Sequence, residues 1–477
     1  MTLLDTGSIH DQDTGTFERA GRPGGSAAHP GSLVRRHSTL LILLLLALGL
    51  RLGYAFFVDV PLAVDARAYH AIAINMVDGF GYVENREVPI LKDTAIYRNS
   101  PLYPAFLAAI YRLSGPSLPV VWVIQSVLGA LTAILLFRVA SRLFGREAGL
   151  VSGTIAAAGF DLVIFPGMLL TETLYLFLVS LSLLALFWAL DGDSRARYLV
   201  AGLLMGAATL ARPVFAAFLP LLFGWMLGKR FWQPMLLCAA GAILVVAPWS
   251  IRNATVYGQF IPLTVGGGYV FWVGNNAEAD GELSIPRALQ EFRETHPIYQ
   301  VDRRGYAEGI RFIAGHPGLF VRLLALKTVK SWSLLRTNGW YLHMRGRWQW
   351  LWVALSAVTE GVIFTLGLLG IATSSQAQRP HRTCLLLYAA SCMLTWLLTV
   401  VEPKYRLAIF PALIVFAGKG VYDLWTSWAA PNVARRRVGA SFMAAATFIG
   451  CVTVIDLGLS FEEFLRRVTI LVTILRG

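Results

Sequence analysis

Charged residues are scarce in this sequence. Only 14% of the 477 residues are Asp, Glu, Lys or Arg, whereas 56% are hydrophobic. This composition excludes an ordinary soluble globular protein. Apolar runs long enough to cross about 30 Å of hydrocarbon recur along the chain, and the short alternating strands of a β-barrel are lacking. We therefore expect an all-α polytopic membrane protein.

Cysteines are also few, and none has metal-ligand spacing. The four of them, Cys238, Cys384, Cys392 and Cys451, lie inside apolar segments, which argues against loop disulfides. No cluster of His, Cys and Asp indicates a bound metal. We expect no cofactor, and nothing in the sequence supports a divalent metal.

Acidic residues are outnumbered by basic ones, 28 to 41, so the formal net charge is +13. The basic residues are not arranged with aromatic residues as in a nucleic-acid-binding module. We expect no nucleic-acid partner. Basic residues in a membrane protein retain loops in the cytoplasm and contact anionic lipid headgroups, so membrane lipids are the expected partners.

Hydropathy predicts about eleven spans. They lie near residues 38–60, 118–140, 147–166, 168–190, 197–212, 213–228, 231–250, 349–373, 383–400, 405–427 and 438–459. The predicted order is a disordered cytoplasmic tail (1–37), a transmembrane core with a first outer loop (38–250, loop 61–115), a long outer segment (251–348), C-terminal spans (349–459) and an amphipathic tail (460–477).

Short basic loops predict the orientation. With a cytoplasmic N-terminus, these loops all fall on one side of the membrane. Residues 61–115, 251–348 and the motif VEPKYR (401–406) then lie together on the opposite, extracytoplasmic face. The juxtamembrane helices and the long loop are therefore expected outside the cytoplasm.

Asp65 follows the first span and opens the stretch DARAYHAIAINMV, in which Tyr69 and Met76 share a helix face. Two interpretations are open, and they are compatible. The carboxylate caps the helix, or it acts at the membrane surface as a general base that takes a proton from an attacking hydroxyl. Such a base typically contributes about 10²–10⁴-fold in rate.

Such chemistry also needs positive charge, and basic residues stand at span entrances on the same face. Arg98, Lys404 and Arg406 suit the neutralisation of a lipid phosphate leaving group, and Arg212 lies at the outer end of a predicted hairpin. The alternative for each is anchoring at lipid headgroups. Glu172, near the outer end of a span, pairs with an arginine, supports the base or caps the span; the sequence does not choose.

Four patches in this order resemble the GT-C superfamily of polyprenyl-phosphate-sugar-dependent glycosyltransferases. The likeness is strongest to the branch with protein O-mannosyltransferases and lipid A aminoarabinose transferases. The patches are DARAYHAIAINMVDGFGY (65–82), YRNSPLYPAFLA (97–108), PWSIRNATVYGQFIPLTVGGGYVFWVGNNAEADG (248–281) and EPKYRLAIFPALI (402–414). The likeness covers roughly residues 38–430.

The resemblance implies a GT-C-like fold and an inverting sugar transfer from a polyprenyl phosphate to an extracytoplasmic glycan, lipid or protein. It implies a location in the bacterial cytoplasmic membrane. By position, Asp65 takes the catalytic acidic site, and Arg98, Lys404 and Arg406 take the donor-phosphate sites. Tyr69, Glu172, Arg212 and Tyr405 are the expected supporting residues. In the family a second acid often follows the first, whereas Ala66 stands here.

One alternative belongs to a different class: a multi-span transporter or lipid flippase without glycosyl transfer. It also accounts for many spans and for charged residues along a pathway. It predicts paired broken helices and charges near the middle of the bilayer. The candidate charges instead cluster near one face in the predicted topology, which favours surface chemistry.

Overall fold

The computed structural model describes residues 30–58, 60–62, 64–98, 100–192, 194–340, 348–374 and 379–476, with side chains for all of these except 30–37, 97–98, 298, 379 and 470–476. The chain divides into two compact units, Met1–Leu41 and Ile42–Gly477. The described part of the first unit is the beginning of a helix. Most of the predicted disordered tail therefore lies outside the described residues.

Every described element is a helix, as the sequence predicts. The first half contains α1 (Pro30–Phe57), α2 (Asp65–Val77), α3 (Ala95–Arg98), α4 (Leu102–Ser114), α5 (Leu118–Phe144), α6 (Arg146–Ala158), α7 (Phe160–Ile164), α8 (Glu172–Leu190), α9 (Arg195–Ala211), α10 (Phe218–Gly228) and α11 (Trp232–Tyr257). The second half contains α12 (Gly267–Gly274), α13 (Arg287–Thr295), α14 (Ile298–Gly315), α15 (Pro317–Trp332), α16 (Gln349–Thr373), α17 (Arg379–Leu398), α18 (Pro403–Arg406), α19 (Phe410–Ser427), α20 (Asn432–Leu459) and α21 (Phe461–Arg476).

Among the described residues, seven helices are long and apolar enough to cross a membrane: Ser38–Phe57, Leu118–Phe144, Glu172–Leu190, Trp232–Tyr257, Gln349–Thr373, Pro403–Ser427 and Asn432–Leu459. Two bent pairs raise this number to nine, with bends of 56° after α6 and 109° between α14 and α15. The expected count of eleven is not confirmed. Helices α9 and α10 have 17 and 11 residues, which is short for a span of about 20 residues.

Small residues let the helices approach closely. A Cβ on Gly202 of α9 would lie 2.1 Å from the carbonyl oxygen of Cys238 in α11, and one on Gly370 of α16 would lie 1.8 Å from that of Phe416 in α19. In lipid, helix association depends on such close packing, because water no longer drives apolar surfaces together. These glycines therefore fix the distances between helices of the core.

A buried arginine binds the end of α6, where the helix breaks. Arg51 of α1 donates from Nη1 to the carbonyl of Ala157 at 2.9 Å and from Nη2 to that of Ala156 at 2.8 Å. These carbonyls belong to the last turn of α6, where no following turn of the helix satisfies them. The guanidinium thus stabilises the point at which the chain bends toward α8.

A network of ion pairs connects the outer segment to the C-terminal helices. Arg336 binds Asp456 of α20 through two hydrogen bonds of 2.9 and 3.0 Å, and Asp456 is completely buried. Arg336 also pairs with Glu282, which accepts a second hydrogen bond from Lys330 at 2.7 Å. Two parallel bonds from one guanidinium hold a carboxylate in a fixed geometry. The two parts of the chain are thus joined by buried, directional contacts.

Candidate active site

Asp65 and Lys404 form an ion pair across 339 positions of sequence. Asp65 begins α2 and Lys404 lies in α18, and the Oδ2–Nζ distance is 2.6 Å. The ammonium also lies 3.9 Å from Oε2 of Glu402. The side chains of Asp65 and Lys404 are 21% and 12% exposed, so water screens the pair only in part. One ammonium group therefore stands between two carboxylates.

The backbone before Asp65 is strained. Val64 has φ of 42°, a value that is rare for a β-branched residue. Val64, not Asp65, occupies the position before the first helical residue, and it makes no capping bond with its side chain. Asp65 is therefore the first helical residue and not the N-cap, and its carboxylate contacts Lys404. Strain of this kind concentrates at functional sites.

A second ion pair joins Glu172 and Arg212. Glu172 begins α8, and its Oε1 accepts a hydrogen bond from Nη1 of Arg212, which directly follows α9, at 2.7 Å. Glu172 is 3% exposed. The guanidinium carbon also lies 5.7 and 5.5 Å from the ring centroids of Tyr175 and Tyr405, within the range of cation–π attraction. This pairing is one of the three roles left open for Glu172 by the sequence.

Two tyrosines connect the ion pairs. Burial raises the pKa of Tyr69 well above its ordinary value, and the charges of Asp65 and Glu172 raise it further, while Lys404 and Arg212 oppose the shift. Tyr69 therefore lies within electrostatic reach of both pairs and stays protonated. The Tyr405 ring faces both cations, since Lys404 lies 5.6 Å from its centroid. We call the group the acid–base cluster: Asp65, Tyr69, Glu172, Arg212, Glu402, Lys404 and Tyr405.

A chain of side-chain contacts positions this cluster. The Tyr69 ring meets Tyr103 of α4 edge to face at 5.0 Å, and the Tyr103 hydroxyl donates to Oε1 of Gln125 at 2.9 Å. Gln125 in turn donates to the carbonyls of Pro166 and Met168, both at 2.9 Å. These carbonyls belong to the bent segment that leads into α8. The contacts thus connect the helix of Asp65 to the helix of Glu172.

The described side chains of the cluster carry three carboxylates and two cations. With every group ionised, this gives an excess of one negative charge. Burial raises the pKa of the Glu402 carboxyl above its ordinary value; Lys404 and Arg212 oppose this shift, and Asp65 and Glu172 add to it. An incoming phosphate must therefore compete with carboxylates for both cations.

Two predicted phosphate ligands are placed differently. Arg98 ends α3, which packs beside α2 through Ala95 and Ile72, and its side chain lies outside the described part of the structure. Arg406 is not brought to the cluster. It is fully buried, its Nη2 donates to Glu360 at 2.7 Å, and its Nη1 donates to two backbone carbonyls.

The separation of Arg406 from Lys404 has a simple geometric reason. Residues two apart in a helix point to different sides, and both lie in α18. The motif EPKYR therefore sends its lysine to the cluster and its arginine into the helical core. The structure brings six of the predicted residues together. They are the ion pairs Asp65–Lys404 and Glu172–Arg212, with Tyr69 and Tyr405.

Two members of the site were not among the sequence predictions. Glu402 lies in the same motif as Lys404, and its extended backbone (φ −125°, ψ 149°) turns the carboxylate toward that lysine. Tyr175, one turn after Glu172, lies under Arg212. For Glu402, the signal in the sequence is an acid in a short outer loop beside two cations; for Tyr175 it is the helical spacing from Glu172.

The structure gives no direct test of the metal prediction. Within the described ranges, no group of three or more His, Cys, Asp or Glu side chains could hold a metal ion. The carboxylates of the cluster are instead occupied by Lys404 and Arg212. Activity without a metal cofactor stays a prediction.

Comparisons with known proteins found one matching family model and several solved structures with a similar fold. The family model described as dolichyl-phosphate-mannose-protein mannosyltransferase matches residues 98–251. No curated protein matches the sequence. The segment matched by the family model includes Glu172 and Arg212.

Among solved structures, the chain is similar to archaeal oligosaccharyltransferase AglB from Archaeoglobus fulgidus in complex with an inhibitory peptide and a dolichol-phosphate. The TM-score is 0.51 at 13% identity, over 91% of this chain and 56% of the archaeal one. The chain thus spans little more than half the length of that enzyme. It is also similar to ArnT from Cupriavidus metallidurans bound to undecaprenyl phosphate, with a TM-score of 0.49 at 15% identity, over 94% of this chain and 76% of ArnT.

The resemblance to the GT-C superfamily is confirmed by the family model and by the fold shared with AglB. The fold class expected from the sequence, an all-helical multi-pass membrane protein of GT-C type, is likewise confirmed. The comparisons indicate glycosyl transfer at a membrane. They leave the acceptor and the roles of individual residues open.

Proposed function

We propose that this protein moves a sugar from a polyprenyl-phosphate donor to an extracytoplasmic glycan, lipid or protein. The observation that carries this proposal is the acid–base cluster, because segments far apart in sequence bring a carboxylate and two cations to one site. A donor of this kind has a sugar joined to a phosphate. Its chemistry needs a base for the acceptor and positive charge for the leaving group.

The proposed reaction is a single displacement. An oxygen of the Asp65 carboxylate takes the proton of the acceptor hydroxyl as that hydroxyl attacks the anomeric carbon. The bond between that carbon and the phosphate oxygen breaks, and the phosphate leaves with the electron pair. Lys404 and Arg212 neutralise its charge, with Arg98 as a further predicted ligand. One displacement inverts the configuration at the anomeric carbon.

The proposed location is the bacterial cytoplasmic membrane, with the site on its extracytoplasmic face. Short basic loops support this orientation. AglB and ArnT are described with dolichol-phosphate and undecaprenyl phosphate, and a lipid-linked donor fits an ion-pair cluster in a membrane-spanning protein. Arg406 has a structural role in this proposal, because Glu360 and two carbonyls already occupy its guanidinium.

A transfer assay tests the proposal. The full chain in proteoliposomes receives undecaprenyl phosphate carrying a radiolabelled hexose, pentose or aminopentose. Envelope material from cells lacking the protein supplies the acceptors. We expect label from one donor to enter acceptor material, and Asp65→Asn to reduce the rate by about 10²–10⁴-fold. Asp78→Asn is the matched control, since Asp78 follows α2 and pairs with Arg86 at the surface.

Two outcomes count against the proposal. Transfer at the normal rate by correctly inserted Asp65→Asn removes Asp65 from the chemistry. Failure of the intact chain to transfer any label and to bind undecaprenyl phosphate rejects the enzyme itself.

The transporter alternative retains one supporting observation. The bends of 56° and 109° are broken helices of the kind that a transporter contains. Under this alternative, proteoliposomes move a lipid or solute without consuming a lipid-linked sugar, and a flux assay decides between the two functions.

A further inference from the structure

Glu402 and Glu172 are the two carboxylates of the acid–base cluster that the proposed reaction does not use, and Glu172 is already paired with Arg212. Glu402 immediately precedes α18, and its side chain is 19% exposed. Its Oε2 lies 3.9 Å from the Lys404 ammonium, which donates to Asp65 at 2.6 Å. The ammonium thus lies closer to the base than to Glu402.

The electrostatic surroundings of Glu402 come from several segments. Lys404 lies on its own segment, Asp65 on α2, Glu172 on α8, and Arg212 after α9. Burial raises the pKa of Glu402, and the two other carboxylates strengthen this effect. Tyr405 lies within electrostatic reach of Glu402, and Tyr69 within reach of Asp65. Burial raises the pKa of Tyr69, so its hydroxyl stays neutral in the physiological range.

Lys404 has two competing tasks in the proposed reaction. An ammonium group on a carboxylate oxygen stabilises the charged form and makes the carboxylate a weaker base. The same ammonium is needed to neutralise the phosphate of the donor. While Lys404 stays bound to Asp65, the carboxylate is a weak base. Without Lys404, the phosphate is a poor leaving group.

We propose that Glu402 is a positioning residue that competes with Asp65 for the Lys404 ammonium, so that arrival of the donor phosphate draws the ammonium away from Asp65 and frees the base. This inference rests on the proposed function. Glu402 competes with Asp65 for the ammonium, and its negative charge favours proton uptake by a neighbouring carboxylate. Donor binding then precedes activation of the acceptor, which protects the site from proton transfer before a donor is present.

A binding experiment tests the competition without requiring transfer. The probe is undecaprenyl phosphate, titrated into the full chain in detergent, and its Kd is measured. Asp65→Asn and Glu402→Gln each remove a carboxylate that competes with phosphate for Lys404, so we expect Kd to fall about threefold to tenfold in each. Lys404→Ala is expected to raise Kd. Asp78→Asn is the control with unchanged Kd.

A transfer experiment tests the effect on the base. In Glu402→Gln, one negative charge near Asp65 is removed, and a carboxylate with fewer like charges around it is a weaker base. The acidic limb of the pH profile of kcat/KM then moves to lower pH. At the plateau, kcat falls about tenfold because the base is weaker, while KM for the donor falls or stays constant. Glu402→Asp restores the carboxylate and recovers most of kcat.

The outcomes separate this inference from the proposed function. A Glu402→Gln variant that melts like the parent but binds undecaprenyl phosphate with equal or higher Kd overturns the inference. So does a lower kcat with an unmoved acidic limb, which marks a merely structural role. If the expected binding pattern appears in a chain that transfers no sugar, the proposed function fails and the competition for Lys404 stands. If Glu402→Gln does not fold, Glu402→Ala carries the binding test, and an equal or higher Kd with an unmoved acidic limb in that variant likewise overturns the inference.

Discussion

Arg406 and Glu360 form a closed ion pair inside the helical core. The Nη2–Oε2 distance is 2.7 Å, and neither side chain is exposed. The backbone carbonyls of Ser333 and Arg336 accept the other hydrogen bonds of the guanidinium, at 2.9 and 2.6 Å. The pair thus connects α18 to α16 and to the end of the outer segment, which places Lys404 at the acid–base cluster.

Removing one partner of this pair is expected to destabilise the protein. Arg406→Ala leaves the buried carboxyl group of Glu360 without its counter-ion, at a cost of about 3–5 kcal/mol. The double variant Arg406→Met with Glu360→Leu is expected to recover much of the loss, because no charge is then buried. Thermal unfolding in detergent measures both. A stable Arg406→Ala chain with a raised Kd for undecaprenyl phosphate contradicts this assignment and returns Arg406 to the phosphate site.

The second prediction separates charge from shape at Arg212. Arg212→Lys keeps a cation beside buried Glu172, so the fold is expected to survive. The planar contact of the guanidinium with the rings of Tyr175 and Tyr405 is lost, and lysine does not replace arginine in such stacked positions. We expect transfer to slow about tenfold.

The measurement combines unfolding temperature and transfer rate. Arg212→Ala serves as the comparison, since it leaves the 3% exposed Glu172 carboxylate unpaired and is expected to unfold earlier. If Arg212→Lys keeps full activity, the ring contacts have no role in catalysis, and charge alone accounts for Arg212.

The third prediction concerns helix packing. In Gly370→Ala the new methyl group meets the Phe416 carbonyl oxygen at 1.8 Å, so α16 and α19 must move apart. We expect a loss of about 1–3 kcal/mol. Gly224→Ala is the control, because no atom lies within 4 Å of a Cβ there. Equal unfolding temperatures for the two variants contradict the role of Gly370 as a close contact.

The sequence predicts the composition of the site better than its pairing. Asp65, Lys404, Glu172 and Arg212 are visible as costly charges beside apolar runs, and the resemblance gives them a common purpose. Which acid binds which base depends on the packing of α2, α8 and α18. Local patterns contain no information on contacts between residues 339 positions apart.

Arg406 illustrates why a motif does not determine a site. In the sequence it stands beside Tyr405 and close to Lys404, and all three suggest one phosphate patch. The outcome depends on the turn of α18, which directs alternate residues to opposite sides. The predicted number of spans stays unconfirmed for a related reason: hydropathy detects apolar residues, whereas the bends after α6 and α14 depend on tertiary contacts such as those of Arg51.

The contacts of Arg336 have a consequence for biogenesis. This residue lies near the end of the outer segment, but the carboxylate that binds its guanidinium through two hydrogen bonds belongs to Asp456 in α20. A ribosome synthesises residue 336 before residue 456, so among its carboxylate partners only Glu282 has been synthesised while the helices between Arg336 and Asp456 enter the bilayer. The outer segment therefore completes this ion-pair network only after α20 has been inserted.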